Sequence, residues 1–201
     1  MDRFLRLGAY VLHPLLMPIL GTAIYFYITP RYIDREIIQS KLLAIFIITF
    51  LIPVVTYFLL KNIGLIQTSQ LEDVRERKFP LMIQCLLILL VVKMVFDPYD
   101  TPEMYYFYVG ILFSSISALI LVLFKIKVSL HQMGVAGLTM FVIALSIHFQ
   151  INMLIWIGLL LFGNGWVASS RLSTYSHTVP ELVLGFFVGV VPQLLMLQFW
   201  L

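Results

Sequence analysis

Runs of apolar residues recur along the chain at close to membrane length, at about 7–28, 42–60, 81–96, 105–124, 132–148, 151–168 and 182–200. A helix needs about 20 such residues, rising 1.5 Å each, to cross ~30 Å of hydrocarbon with its backbone hydrogen bonds satisfied internally. The pattern predicts an all-α fold, a polytopic transmembrane helical bundle of six or seven spans. Block 81–96 is the short one, with Lys93 able to carry its ammonium out to the interface. Seven spans become six if two short blocks are re-entrant or interfacial. The first block follows Arg3 and Arg6 in the manner of a signal peptide. It is too long for one and lacks a small-residue cleavage site, so it reads as a retained helix. Pro14 and Pro18 are expected to kink it, and His13 beside Pro14 reads as a packed or interfacial histidine.

Composition narrows the class further. Of 201 residues, 61% are hydrophobic and only 11% charged, where soluble domains carry about 25% charged residues. Mean hydropathy is +1.01. The net charge of +3, from 13 Lys+Arg against 10 Asp+Glu, gives no sign of a nucleic-acid partner. The lipid bilayer and its phosphates are the nearer anionic surface. No stretch reads as a soluble domain, so residues 1–201 form one integral membrane domain. Cys85 is alone and can form no intramolecular disulfide. Neither a His-Glu-x-x-His string nor a Cys/His cluster suggests a metal, and no cofactor is implied.

Polar residues gather in a few connections. Each span changes the side of the membrane, so connections two spans apart share a face. Loops 61–80, 125–131 and 169–181 are so related, and they hold Arg75, Arg77, Lys78, Lys125, Lys127, His131, Arg171, His177 and Glu181. Ionisable groups at a bilayer boundary are costly and mark functional sites by default. Guanidinium groups bind phosphate oxygens bidentately, and cations stabilise the charge that develops in phosphoryl transfer. On the other face, Asp97–Glu103 reads as a plain acidic hairpin connection and His148 as an interfacial residue.

The densest polar run is Ser170-Arg171-Leu172-Ser173-Thr174-Tyr175-Ser176-His177-Thr178-Val179-Pro180-Glu181. His177 and Glu181, four residues apart, stack on one face of a helix. A carboxylate there holds the imidazole in one tautomer, as the acid of a catalytic triad does. Pro180 suits the first turn of the following helix and Thr178 is a candidate N-cap, which sets His177 where an anion is welcome. Gly185 and Gly189 follow at four-residue spacing and would let a neighbouring helix approach closely.

This Ser-Arg-x5-His-x3-acid string resembles the third signature motif of the type-2 phosphatidic acid phosphatase superfamily, with Glu181 in place of the family's Asp. The second motif, Pro-Ser-Gly-His, is matched by Val128-Ser129-Leu130-His131, which keeps Ser and His. The first, Lys-x6-Arg-Pro, is matched most loosely, by Arg75-Glu76-Arg77-Lys78-Phe79-Pro80. Two spans separate it from the second motif, unlike the usual family layout. The resemblance covers the C-terminal third well, the centre in part, and the first sixty residues hardly at all.

The resemblance implies a metal-independent membrane lipid phosphatase acting on a lipid phosphomonoester or pyrophosphate through a phosphohistidine. His177 would be the nucleophile, Glu181 its orienting acid and His131 the general acid. Arg171, Ser170, Ser129 and the cluster Arg75, Arg77 and Lys78 would hold the phosphoryl oxygens. The basic cluster reads equally as a juxtamembrane patch at lipid headgroups. A lipid phosphotransferase, and a catalytically silent lipid-binding or scaffold relative, are the alternatives. A transporter fits less well, because the charges crowd one face instead of the midplane. The family places its site on the extracytoplasmic face of the inner or plasma membrane, whereas the excess of Lys and Arg on this face argues for the cytoplasmic side.

Overall fold

Each apolar block forms helix. The computed structural model describes residues 2–66 and 73–201, and no strand occurs among them. The helices are α1 (Asp2–Val11), α2 (Met17–Ile28), α3 (Arg35–Phe46), α4 (Ile52–Asn62), α5 (Lys78–Met94), α6 (Pro102–Leu123), α7 (Leu130–His148), α8 (Leu154–Ser173) and α9 (Val179–Leu197). Four stretches are long and apolar enough to cross a membrane: Arg35–Asn62, Pro102–Leu123, Leu130–His148 and Val179–Leu197. The α1–α2 pair adds a fifth if its two halves, bent by 42°, count as one. Helix α5, with 17 residues, and α8, whose second half holds Asn164, Ser169, Ser170 and Arg171, fall outside that set. Large apolar side chains such as Leu154, Ile155, Leu159 and Phe162 cover the outside of α8, as suits an integral membrane protein facing lipid.

The breaks in these helices have local causes. A proline has no N–H to give and its ring crowds the carbonyl four residues back. Pro14 therefore starts a 3-10 turn, Pro14–Leu16, and Pro18 sits in the first turn of α2, which together produce the expected kink. Pro53 has the same effect between α3 and α4, where Ile47–Leu51 widens into a π turn. Helices α4, α6, α7 and α8 end alike, with one left-handed residue, Gly64, Lys125, Gln150 and Tyr175 respectively. In α8 the amide of Ser176 reaches back to Arg171 O (3.1 Å) and that of Tyr175 to Leu172 O (3.0 Å). That reversal closes the last carbonyls of the helix and turns the chain sharply toward α9.

Helices α7 and α9 make the closest contact. A Cβ on Gly185 would stand 2.6 Å from the Ser129 carbonyl oxygen, and one on Gly189 would collide with that of Met133. The expected small-residue ridge of α9 is thus filled by the backbone of α7. Deeper in, Phe107 of α6 stacks on Phe141 of α7 at 4.0 Å. Helices α7 and α8 are joined by side-chain hydrogen bonds, Gln132 Nε2 to Asn164 Oδ1 and Asn164 Nδ2 to Thr139 Oγ1, both 2.8 Å. Helix α1 lies on α8, where Phe4 stacks on Trp166 at 4.8 Å and Trp166 Nε1 donates to Phe4 O at 2.9 Å.

The connection Asp97–Glu103 is more than an acidic hairpin. Glu103 is fully buried. Its Oε1 meets Arg31 Nη2 at 2.7 Å and His148 Nε2 at 3.1 Å, while Oε2 accepts from Tyr25 Oη at 3.2 Å. His148, expected as a simple interfacial residue, therefore belongs to a buried polar cluster that ties α2, α6 and α7 together. A carboxylate buried this deeply requires such partners.

Replacing Gly189 by Ala should destabilise the protein by about 1–3 kcal/mol, the usual range for overpacking a tight core. Thermal unfolding in detergent checks this, with exposed Gly158→Ala as the control, because a Cβ at Gly158 meets nothing within 4 Å.

Candidate functional site

The three polar loops do meet. Arg77 Nη1 donates to Val128 O at 2.8 Å, Lys127 Nζ to Ser176 O at 2.9 Å, and the Ser129 amide to Glu181 O at 3.2 Å. Behind them lies a cavity of about 940 Å³, within the size range of small-molecule sites. Arg77, His131, Ser170, Arg171 and His177 line its polar part, and Tyr57, Leu60, Leu81 and Ile111 are among its apolar walls. The cavity is amphipathic, as a pocket for a charged head and a greasy tail would be.

His177 and Glu181 are held by the start of α9. Thr178 caps the helix, and Glu181 reaches back in a capping box. Its Oε2 accepts from the Thr178 amide at 3.2 Å and faces His177 Nδ1 at 2.7 Å. A carboxylate only accepts, so Nδ1 carries the proton and Nε2 keeps its lone pair. His177 is 7% exposed. Burial, helped by the nearby Arg77 and Lys127 cations, outweighs Glu181 and lowers the imidazole from 6.5 to about 4. The ring is therefore neutral near pH 7, the state in which an imidazole attacks.

The cations differ in their placement. Arg77 is buried at the site, whereas Arg75 and Lys78 are exposed and stand outside the cavity wall. Of the basic cluster, Arg77 alone joins the cavity. Burial lowers its pKa, with Glu181 opposing that shift. Ser129 also stands apart from the cavity. It is fully buried beneath Gly185, and its Oγ caps α7 by accepting from the Gln132 amide at 3.4 Å. The close approach of α9 covers Ser129, and its hydroxyl supports the start of α7. Ser170 Oγ and Arg171 Nε are buried without a hydrogen-bond partner among the described residues. Donors buried without a partner are costly and uncommon, and both residues line the cavity.

Arg6, Tyr10 and His13 are among the cavity-lining residues that lie outside the motif strings. His13 faces His131 edge-on, with ring centroids 5.2 Å apart. In the sequence it reads as a packed or interfacial histidine, with the His-Pro pair at a helix break as its only local mark. Among the described residues no group of three or more His, Cys, Asp or Glu is arranged to hold a metal ion. Compared with protein-family models, with curated proteins and with solved structures, the chain matches none of them.

The tuning of His177 has a measurable consequence. The unfolded chain takes up a proton near pH 6.5 and the folded site only near 4. His177 therefore contributes stability that is present above about pH 6.5 and lost as pH falls toward 4. Unfolding temperature measured across that window should fall less steeply for His177→Gln than for the unaltered protein.

Proposed function

We propose that the protein is a membrane lipid phosphatase that cleaves a lipid phosphomonoester or pyrophosphate through a phosphohistidine, similar in its site to the type-2 phosphatidic acid phosphatases. The observation that carries this reading is His177, neutral and fixed by Glu181 with Nε2 free, on the wall of an amphipathic cavity that also holds buried arginines. Arg77 and Arg171, with Ser170 Oγ, take the phosphoryl oxygens, which matches their burial and the open donors of Ser170 and Arg171. Arg75, Lys78 and Ser129 have no part in that grip; the first two suit lipid headgroups at the membrane surface.

In the proposed reaction the Nε2 lone pair of His177 attacks phosphorus as the bond to the lipid oxygen breaks. The electron pair of that bond stays with the departing oxygen, which takes a proton from His131. Glu181 stabilises the imidazolium character that develops on His177. Water, losing its proton to His131, then displaces His177 from phosphorus and releases phosphate. The apolar walls contributed by α4, α5 and α6 accept the lipid chains.

This reading takes the α1–α2 pair, α3–α4, α5, α6, α7, α8 and α9 as seven crossings. That topology puts the three site loops on one side of the membrane and the Glu103 cluster on the other. The site side is read as extracytoplasmic on the inner or plasma membrane.

Phosphate release by purified protein from a panel of lipid phosphates tests the reading. No release from any of them, with the protein folded, would leave a lipid-binding role, and dependence on an added acceptor would show a transferase. Glu181→Gln should keep the fold and lower turnover by about two to four orders of magnitude, as loss of a triad acid does. His177→Ala should abolish both turnover and any acid-labile phosphoenzyme. His131→Ala should slow a lipid phosphomonoester by about 10²–10⁴-fold and an aryl phosphate much less, because an aryl oxide leaves without a proton. Equal losses on both substrates would assign His131 to phosphate binding instead.

A further inference from the structure

The bend between α1 and α2 brings a third imidazole to the cavity. His13 Nδ1 accepts the Leu15 amide at 3.3 Å. A ring nitrogen that accepts carries no proton, so neutral His13 holds its proton on Nε2. The ring is set by the 3-10 turn that starts at Pro14. That turn is seated on α7 at Gly134, where a Cβ would come within 3.4 Å of the Pro14 Cα and 3.1 Å of the Met17 Cγ.

Three imidazoles, His13, His131 and His177, line one cavity. His13 and His131 are ring neighbours there, edge to face with centroids 5.2 Å apart. In phosphoryl transfer the attacking and leaving atoms stand roughly in line through phosphorus. With His177 attacking and His131 serving the departing oxygen, His13 adjoins the departing group.

We infer that His13 is a substrate-contacting residue whose Nε2–H donates a hydrogen bond to the oxygen linking phosphorus to the lipid. This rests on the phosphoryl-transfer reading of the site. His13 keeps its proton throughout, and the proton taken by the departing oxygen still comes from His131. The chemical group recognised at the bend is an ester or anhydride oxygen, which free phosphate and a phosphonate lack.

Two variants separate this role from helix capping. In His13→Asn the amide oxygen can replace Nδ1 as the acceptor for Leu15, and the Nε2 donor is gone. In His13→Gln the amide nitrogen reaches toward the Nε2 position. Affinities for dioctanoyl phosphatidate, its methylene phosphonate and inorganic phosphate would be titrated in the full chain in detergent. The background is His177→Ala, so that no phosphoenzyme forms. His13→Asn should unfold at the same temperature and bind phosphatidate about two to ten times more weakly, the net worth of a hydrogen bond between uncharged groups. Its affinities for the phosphonate and for inorganic phosphate should hold, and His13→Gln should recover most of the phosphatidate affinity.

Unchanged phosphatidate affinity in His13→Asn would overturn the inference, as would equal losses on all three ligands. If His13→Asn fails to fold, a loss of phosphatidate affinity in folded His13→Gln equal to that for the phosphonate would overturn it as well. Turnover of phosphatidate by the chain with His177 intact is measured alongside. Binding without turnover would refute the phosphatase reading while the affinities still judged His13, and absence of binding to all three ligands would refute both.

Discussion

The close approach of α9 to α7 is the constraint on which the site depends. With no side chain at Gly185 and Gly189, the backbone of α9 settles against the carbonyls of Ser129 and Met133. The same contact lets the Ser129 amide donate to Glu181 O at 3.2 Å. The starts of the two helices are thereby locked together. Each start carries one of the two motif histidines, so their relative placement follows from backbone packing more than from any contact between the rings.

Helix α8 is fixed to this pair by other means. Asn164 bridges to Gln132 and Thr139 at 2.8 Å each, and it lies two turns before Arg171 along the same helix. In a low-dielectric interior such amide bonds are directional and costly to break. They set the rotation of α8, and with it the point from which Arg171 enters the cavity. At the far end of α7 the Glu103 cluster holds His148 and Arg31 in the same way. The bundle is pinned by polar contacts at both ends of α7, with aromatic packing between them.

Glu181 serves local and long-range order together. One oxygen, Oε2, completes the cap of α9 and fixes the tautomer of His177. The Glu arm is suited to that double duty because a capping box is built on Glu or Gln at the third helical position. The proposed nucleophile and the helix that carries it are thus stabilised by a single carboxylate.

The sequence alone determined the helical class, the position of every apolar block and the kink at Pro14 and Pro18, since these follow from local hydropathy and proline geometry. It also indicated the pairing of His177 with Glu181, because a four-residue spacing at a helix start leaves little freedom, and it singled out the three polar loops that hydrogen bonds join in the structure. The number of apolar helices that satisfy a crossing was not legible to the same degree, because 17-residue α5 and the polar second half of α8 blur the hydropathy signal. Tertiary structure alone decided which cation of the 75–78 cluster turns inward, since a basic run shows no face until its partner Val128 O is in place. It removed Ser129 from the cavity by covering it with α9, and it added His13, 118 positions before His131 and beside it only after folding. Such contacts join residues far apart in the chain, and neither periodicity nor local spacing encodes them.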